Sequence, residues 1–320
     1  MELPTLAELE AAAEIVHRTV PPTPQYCWPL LSRRLGAEVW VKHENATPIG
    51  AFKIRGGLVY VDDLKRTEPG IAGVVSATTG NHGQSIAHAA TRLGMRAVIF
   101  VPHGNSPDKN RAMVAFGAEL VEHGHDFQAA YEHAQMLAAR DNLHLVRTFH
   151  PMLVRGVGTY GLELLRDQDF DTVYVPIGQG SGICGMISAR AALGRNTEIV
   201  GVVSAHAQAY ALSFAAGHPV STNSAETFAG GLAVRAPDAA AVEIINRHAA
   251  RIVTVTDDEL RHAIRVIFSD THTVAEGAGA AALAGALQER DCLAGKKIAL
   301  IQSGGNLDAP LFAEILSERP

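Results

Sequence analysis

Lys53 is the residue of this sequence whose chemistry is most specific. It is one of only six lysines, against twenty-one arginines, and it stands among small and apolar residues in the run Gly50–Gly57. Removing an ammonium group from water favours the neutral amine, so its pKa falls and the nitrogen becomes a nucleophile. Such an amine can form a Schiff base with an aldehyde. The alternative is a surface lysine whose stem covers apolar neighbours, and Lys53 alone does not decide between the two.

Three glycine-rich turns supply groups that such a lysine would need. They are Ser76–Gln84 (SATTGNHGQ), Gly178–Gly185 (GQGSGICG) and Gln302–Asn306 (QSGGN). Each follows a short apolar run that we predict to be a strand, and the first two precede a helical pattern. Successive backbone N–H groups at the start of a helix bind anions such as phosphate or carboxylate. The first two turns therefore predict anion subsites.

Together with Lys53, these turns resemble the tryptophan-synthase-like (fold type II) pyridoxal-phosphate enzymes, in the branch of the threonine/serine dehydratases and serine racemases. The resemblance extends from about Pro22 to Asp308. It implies a two-domain, three-layer parallel α/β fold in which residues 1–64 and 150–320 form a large cofactor-binding domain. Residues 65–149 would form a small mobile domain that carries the Asn81 loop.

The resemblance also implies which residues bind pyridoxal 5'-phosphate. Lys53 would hold its aldehyde, Ser303 would hydrogen-bond its pyridine nitrogen, and Asn81 would contact its phenolic oxygen. Relatives usually have four consecutive glycines in the phosphate turn, so Gln179 is a departure and its side chain must point away from the phosphate. The residues expected to hold the phosphate are Gly178, Gln179, Gly180, Ser181 and Gly182.

The turn Ser76–Gln84 is the predicted substrate subsite. Backbone amides and the hydroxyls of Thr78 and Thr79 can bind the carboxylate of an amino acid at a helix N-terminus. We place Asn81 and His82 in the same subsite. By resemblance, Thr79 occupies the position where serine racemases have a serine as second acid/base and threonine dehydratases commonly have an alanine. A hydroxyl needs help to be a good acid or base, so Thr79 is a candidate both for catalysis and for substrate binding.

We therefore expect a pyridoxal-phosphate-dependent ammonia-lyase (dehydratase) that converts a β-hydroxy-α-amino acid to a 2-oxo acid and ammonia. L-threonine and L-serine are the default substrates, and phenylserine and 3-hydroxyaspartate stay open. The first alternative is a serine racemase or a β-replacement synthase on the same fold, and the second is a non-catalytic cofactor-binding sensor. The neutral hydroxyl of Ser303 would not keep the pyridine nitrogen protonated, which favours elimination.

The second turn also contains a dinucleotide-binding pattern. Gly180–Gly185 reads G-x-G-x-x-G after a predicted strand. That pattern needs an acidic residue near the end of the next strand to bind the ribose. The next predicted strand, Ile199–Val203, is followed by Ser204, Ala205 and His206, and Glu198 lies at its other end. We therefore do not expect a nicotinamide cofactor.

Strands and helices must alternate to position these turns. Short β-branched runs are typical of buried parallel strands, and their alternation with alanine-rich helical patterns predicts a parallel α/β fold. The predicted strands are Glu38–Lys42, Gly73–Ser76, Ala97–Val101, Thr172–Pro176, Ile199–Val203 and Lys297–Ile301, and the predicted helices are Gln84–Leu93, Asp126–Arg140 and Glu276–Glu289.

The composition is typical of a soluble globular protein. Hydrophobic residues make up 47% and charged residues 19% of the chain, and the net charge is −6. These values give no reason to expect nucleic acid or an acidic membrane surface as partner, and no apolar run is long enough for a bilayer. Three scattered cysteines and the lack of a signal segment indicate a cytoplasmic protein. By resemblance we expect a homodimer whose small-molecule partner is an amino acid.

We expect no metal site. Glu226–Gly231 is similar to the divalent-cation region of the family, but Gly230 stands where an aspartate usually follows the alanine, which removes a hard oxygen ligand. His123 and His125 have no third ligand at zinc spacing. Glu276 matches an acidic position near the active site of relatives.

Overall fold

A computed structural model describes residues 1–318. The strands are β1 (Gln25–Cys27), β2 (Glu38–His43), β3 (Gly73–Ala77), β4 (Arg96–Val101), β5 (Glu119–Glu122), β6 (Leu143–Leu145), β7 (Thr172–Pro176), β8 (Glu198–Ser204), β9 (Arg251–Val255) and β10 (Lys297–Gln302). The helices are α1 (Leu6–His17), α2 (Pro29–Leu35), α3 (Lys53–Thr67), α4 (Asn81–Arg92), α5 (Pro107–Ala115), α6 (Phe127–Asp141), α7 (Pro151–Leu165), α8 (Ser181–Ala192), α9 (Ala209–Ala216), α10 (Ala239–His248), α11 (Asp257–Thr271), α12 (Gly277–Gln288) and α13 (Ala309–Ser317). Within residues 1–318, no helix has both the length and the apolar composition needed to cross a bilayer.

The larger sheet has six strands in the order β1-β2-β10-β7-β8-β9. All its neighbouring strands are parallel except the edge strand β1, which pairs antiparallel with β2. Successive residues of a strand point to opposite faces, and both faces of β7 are buried. Val173 and Val175 pack with α7 and α8, whereas Tyr174 packs on the side of α11 and α12. Helices therefore cover both faces, and the predicted three-layer parallel α/β architecture is confirmed.

The smaller sheet is wholly parallel, with the order β5-β4-β3-β6. Val74 and Ile99 face a core shared with α3 and α4, whereas Val75 and Phe100 face α6. The strands of this sheet lie within residues 73–145. Helix α3 ends at Thr67, before the first of these strands begins, and it continues without a break across the predicted boundary at 64/65. The division of the chain at residues 64/65 and 149/150 stays a prediction.

The predicted elements correspond to β2, β3, β4, β7, β8 and β10 and to α4, α6 and α12, with small differences at their ends. Helix α4 already begins at Asn81, within the glycine-rich turn. The sequence pattern does not reveal β1, β5, β6 or β9. Strand β5 has acidic ends and no fully buried residue, and β1 and β6 have three residues each. Short or half-buried strands lack the apolar run on which the prediction depends.

A buried network of charges joins the first turn of α3 to β2 and α7. Arg55 donates from Nε to Oε2 of Glu44 at 2.7 Å and from Nη1 to Oε1 of Glu163 at 2.6 Å. Nζ of Lys42 donates to the other oxygen of Glu163 at 2.6 Å. Arg55, Lys42 and Glu44 have no solvent-exposed side-chain surface. Because Arg55 lies two residues after Lys53, this network holds the helical turn from which the Lys53 side chain projects.

Candidate active site

Lys53 is the first residue of α3, and its side chain lines a cavity of about 470 Å³. The chain before it is held by Thr47, whose hydroxyl accepts the N–H of Ala51 and donates to its carbonyl. Lys53 Nζ lies 3.1 Å from Oγ of Ser181, at the start of α8. Burial lowers the pKa of Lys53 to about 8, so the neutral, nucleophilic amine is well populated at slightly alkaline pH.

The turn between β7 and α8 presents a row of free backbone donors. From Gly178 to Ile183, no backbone N–H donates to another group of residues 1–318. Gly180 has a φ of +98°, and a Cβ there would come within 2.7 Å of Ala241. A Cβ at Gly178 would come within 2.2 Å of the carbonyl oxygen of Gly231. Free N–H groups in the first turn of a helix bind anions with the help of the helix dipole, so this turn can hold a phosphate, and we refer to it as the phosphate cradle.

The N-terminus of α4 borders the same cavity. The backbone N–H groups of Asn81 and His82 have no acceptor among residues 1–318. Thr78 is buried, and its hydroxyl accepts the N–H of Gly80 at 3.1 Å. Thr79 is exposed and lines the cavity. The arrangement can bind a carboxylate at the helix N-terminus, and it leaves the hydroxyl of Thr79 available to a bound molecule.

His82 lines the cavity but is only 6% exposed. Burial, with a smaller contribution from the charge of Lys53, lowers the pKa of His82 to about 3. The imidazole is therefore neutral around pH 7. Its Nε2 atom has no hydrogen-bond partner among the described residues, so the ring can contact a bound molecule without adding a positive charge.

The side chain of Asn81 is held from two sides. Its Nδ2 donates to Oε1 of Glu276 at 2.5 Å, and its Oδ1 accepts from Nδ2 of Asn306 at 2.8 Å. The other oxygen of Glu276, just before α12, lies 3.5 Å from Nζ of Lys109 on α5. These contacts join α4 and α5, which flank the smaller sheet, to α12 and the turn after β10. They close one side of the cavity and fix the orientation of the Asn81 amide.

Ser303 follows β10, and it too lines the cavity. Its carbonyl accepts the N–H of Phe52 at 3.0 Å, which ties this turn to the residue before Lys53. The Ser303 hydroxyl has no hydrogen-bond partner within residues 1–318, so it is free to bond a ring nitrogen. Since the group is neutral, it offers a hydrogen bond without a charge.

All the residues that the sequence predicts for the site line this one cavity. They come from four segments: the start of α3 and the turns after the carboxyl ends of β3, β7 and β10. Ligands commonly bind at this end of the strands in parallel α/β folds. Their individual roles stay predictions. The residues are Lys53, Thr78, Thr79, Asn81, His82, Gly178, Gln179, Gly180, Ser181, Gly182 and Ser303.

Other residues on the cavity wall were not assigned to the site from the sequence. Lys109, Phe127, Thr148 and the segment 230–234 line it. The one local signal is the rarity of lysine, which makes Lys109 unusual. Apolar wall residues such as Leu232 have no sequence mark that separates them from core residues. In the described part of the chain, no three His, Cys, Asp or Glu side chains are grouped as metal ligands.

The donors in the cavity fit the cofactor that the resemblance implies. The unpaired N–H groups of the Gly178–Ile183 segment suit a phosphate, the amine of Lys53 suits an aldehyde, and the free hydroxyl of Ser303 suits a pyridine nitrogen. The hydrogen bond between Lys53 and Ser181 places the amine and the phosphate cradle side by side. One molecule in this cavity can therefore contact both.

Comparisons with known proteins agree with this fit. A family model described as "Pyridoxal-phosphate dependent enzyme" matches residues 16–304. The chain is 31% identical over 316 residues to L-threonine ammonia-lyase of Thermotoga maritima, covering 98% of this chain and 78% of that protein. It is 31% identical over 319 residues to L-threo-3-hydroxyaspartate ammonia-lyase of Saccharomyces cerevisiae, covering 99% and 98%. The solved structure of processed threonine deaminase isoform 2 from Solanum lycopersicum matches with a TM-score of 0.89 and 29% identity, covering 99% of this chain and 98% of that one.

Proposed function

Since this chain belongs to the pyridoxal-phosphate-dependent enzymes, in the threonine/serine dehydratase and serine racemase branch, and is a lyase, we propose that it converts a β-hydroxy-α-amino acid to a 2-oxo acid and ammonia. L-threonine and L-serine are the first substrates to test. The relative named for L-threo-3-hydroxyaspartate covers nearly the same length, so that amino acid belongs beside them. Phenylserine is the bulkier candidate.

Each residue has a distinct task in this proposal. When bound, pyridoxal phosphate supplies an electron sink for charge that develops at the α-carbon of the substrate. The amine of Lys53, whose pKa burial lowers to about 8, takes the α-proton. The free N–H groups at the start of α4 bind the substrate carboxylate. The hydroxyl of Thr79 hydrogen-bonds the departing β-hydroxyl, which leaves as water with the proton that Lys53 has taken. Ser303 would hydrogen-bond the ring nitrogen.

One observation carries the proposal: the Lys53 amine lies 3.1 Å from the hydroxyl of Ser181, within the phosphate cradle, and in the same cavity as the α4 N-terminus. A lysine that titrates near pH 8 beside two anion subsites is arranged for an anionic aldehyde and an amino acid together. A surface lysine would have neither the lowered pKa nor the adjoining donors.

The test is release of 2-oxo acid and ammonia from β-hydroxy-α-amino acids of both configurations. We expect turnover of at least one member, and its loss in Lys53→Ala together with the visible absorbance of lysine-bound cofactor. Lys65→Ala is the matched control, because Lys65 is an exposed lysine near the other end of α3. Steady turnover by Lys53→Ala would exclude the proposed role of Lys53.

The same assay separates the alternatives. Bound cofactor without turnover of any member would favour the sensor. Product formation that requires a second nucleophile, with little ammonia, would favour a β-replacement synthase. Inversion at the α-carbon, measured by chiral chromatography, would show that the protein also has racemase activity. The exposed hydroxyl of Thr79 is the candidate group for that activity.

We also propose that residues 65–149 move as a unit against the rest of the chain. Across the cavity, side-chain hydrogen bonds connect Asn81 with Glu276 and Asn306, Lys109 with Glu276, and Ser106 with Asp308. Away from the cavity, α4 packs against α3 in a shared apolar core. Hydrogen exchange of the α4 N-terminus, measured with and without a substrate analogue, should reveal closure as added protection. Unchanged exchange on saturation would argue against it.

The proposed assembly is a cytoplasmic homodimer. Leu30 on α2 and Phe268 on α11 are 46% and 38% exposed, and the two helices adjoin; large exposed apolar side chains of this kind favour an interface. All three cysteines are free, which suits a reducing compartment. Light scattering should give twice the mass of one chain, and Phe268→Glu should lower that mass. Leu93→Glu is the control, because Leu93 is an exposed leucine at the end of α4, and it should leave the mass unchanged. Fractionation with a cytosolic marker tests the location.

A further inference from the structure

Two buried tyrosine hydroxyls lie behind the phosphate cradle. Oη of Tyr210, on α9, donates to the carbonyl of Gln179 at 2.8 Å. Oη of Tyr160, on α7, donates to the carbonyl of Gly182 at 2.7 Å. The two side chains are 2% and 0% exposed, and neither lines the cavity. Each tyrosine therefore reaches the cradle only from the protein side.

The direction of these hydrogen bonds determines where the cradle's own donors point. In a trans peptide the C=O and the following N–H point in opposite directions. A carbonyl of Gln179 held by Tyr210 directs the N–H of Gly180 away from that tyrosine. The peptide of Gly182 and Ile183 lies in the first turn of α8, so the helix already directs the Ile183 N–H, and the hydrogen bond from Tyr160 to the Gly182 carbonyl reinforces that direction. The Gly180 and Ile183 N–H groups are two of those that have no acceptor within residues 1–318.

Tyr210 is itself held in place. Its Oη accepts the N–H of Asp238 at 3.3 Å while it donates to Gln179. A Cβ at Gly180 would come within 3.1 Å of the same oxygen, so the hydroxyl packs directly against the cradle. Burial raises the pKa of both tyrosines, Tyr160 and Tyr210, well above the usual range. Both are therefore neutral donors around pH 7.

This support matters in a chain whose cradle contains Gln179. A glycine at that position would leave the peptide free to adopt either orientation. The side chain of Gln179 restricts the backbone angles of this residue, and the hydrogen bond from Tyr210 selects the peptide orientation that leaves the Gly180 N–H free. Without the hydrogen bond from Tyr210, the carbonyl oxygen of Gln179 would be a buried acceptor that has no donor. The peptide could then turn so that this oxygen, and not the Gly180 N–H, faces the phosphate subsite.

We propose that Tyr160 and Tyr210 are positioning residues of the phosphate subsite, which hold the cradle carbonyls back and thereby set the affinity for the phosphate group of the cofactor. The inference rests on the cofactor assigned above. It concerns the phosphate alone, because neither tyrosine hydroxyl hydrogen-bonds the amine of Lys53 or the hydroxyl of Ser303. Loss of either hydroxyl should therefore weaken binding of pyridoxal 5'-phosphate and spare binding of pyridoxal, which lacks the phosphate.

The experiment compares the dissociation constants of the two ligands for the full chain freed of cofactor, by absorbance titration of wild type, Tyr160→Phe, Tyr210→Phe and the double variant. One lost hydrogen bond corresponds to about a threefold to tenfold weaker pyridoxal phosphate complex, and the constant for pyridoxal should stay the same. Tyr174→Phe is the matched control, since its buried hydroxyl bonds Glu289 and not the cradle.

Four results decide the outcome. A selective loss for pyridoxal phosphate in either cradle variant supports the inference. Equal weakening of both ligands, no weakening, or the same selectivity in Tyr174→Phe overturns it. If wild type binds neither ligand, the cofactor assignment itself fails, which is a different result. The phosphorus NMR signal of the holoenzyme is a second readout, and it should shift in the cradle variants and not in Tyr174→Phe.

Discussion

Replacing Glu163 with glutamine tests whether the buried charge network holds the start of α3. Glu163 accepts from Arg55 through both oxygens, at 2.6 and 2.9 Å, and from Lys42 at 2.6 Å. Its side chain is 8% exposed. With glutamine there, two buried cations would share the single carboxylate of Glu44. The variant keeps the size of the side chain, removes its charge, and replaces one of the two accepting oxygens by an NH₂ donor.

The expected loss can be worked out in two ways. Burial by itself would raise the pKa of Glu163, but the charges and hydrogen bonds of Arg55 and Lys42 outweigh it and lower the pKa from 4.5 to about 2. At about 1.4 kcal/mol per pKa unit, that shift corresponds to roughly 3 kcal/mol of folding free energy at pH 7. Removing one partner of a buried ion pair costs about 3–5 kcal/mol. Glu163→Gln should therefore lose about 3 kcal/mol or more.

Urea unfolding at pH 7 of the cofactor-free and cofactor-saturated protein measures the loss. Glu10→Gln is the control, because Glu10 pairs with Arg166 at 2.8 Å while both side chains are half exposed, and such pairs contribute about 0–1 kcal/mol. Adding Lys42→Met to Glu163→Gln removes the excess cation and should recover part of the lost stability. If Glu163→Gln loses no more than Glu10→Gln, or the second substitution makes matters worse, the charge-balance argument is wrong.

The pH dependence gives an independent check. The folded pKa of Glu163 is lower than the unfolded one, so its contribution is complete above about pH 4.5 and is lost as the pH falls toward about 2. The stability difference between wild type and Glu163→Gln should accordingly shrink across this interval. A difference that stays constant down to pH 3 would contradict the assigned pKa.

Three further outcomes concern the cavity. Because only the neutral amine reacts, the rate at which the cofactor-free protein bonds pyridoxal phosphate should rise with pH through about 8; a rate independent of pH from 6.5 to 9 would refute the lowered pKa of Lys53. Ser303→Ala should weaken the cofactor complex about threefold to tenfold in an absorbance titration, whereas Ser317→Ala, at an exposed serine of α13, should leave it unchanged. Thr79→Ala should raise the KM of the amino acid about threefold to tenfold and Thr79→Ser should not; equal KM values would remove the hydroxyl from substrate binding.

Much of the architecture follows from local sequence patterns. The central strands β7, β8 and β10 are largely apolar runs rich in Val and Ile, because both of their faces are buried. Alanine and glycine fill α12, which lies against the larger sheet so closely that a Cβ at Gly285 would come within 2.8 Å of Val202. The weakly amphipathic edge strands β5 and β9 cannot be predicted from such local patterns. Their pairing depends on neighbours far away in the chain.

The residues of the site also fall into two groups, those that the sequence marks and those that only the structure identifies. Local chemistry marks Lys53, the phosphate turn beginning at Gly178 and Ser303, since an isolated lysine and glycine-rich turns stand out against their surroundings. It marks neither Tyr160 nor Tyr210, which resemble any other buried aromatic residue. It also does not show that Asn81 meets Glu276, 195 residues away.

What this sequence determined by itself is the alternation of strands and helices, the positions of the glycine-rich turns, and a lysine placed among small and apolar residues. Each depends on residues close together in the chain, through steric limits on the backbone and the periodicity of apolar side chains. Only the tertiary structure decided that Lys53 is buried enough for its pKa to fall to about 8, which backbone donors remain unpaired, and which hydroxyls hold the cradle from behind. Desolvation and hydrogen bonding are properties of the packed surroundings, and distant segments supply most of those surroundings.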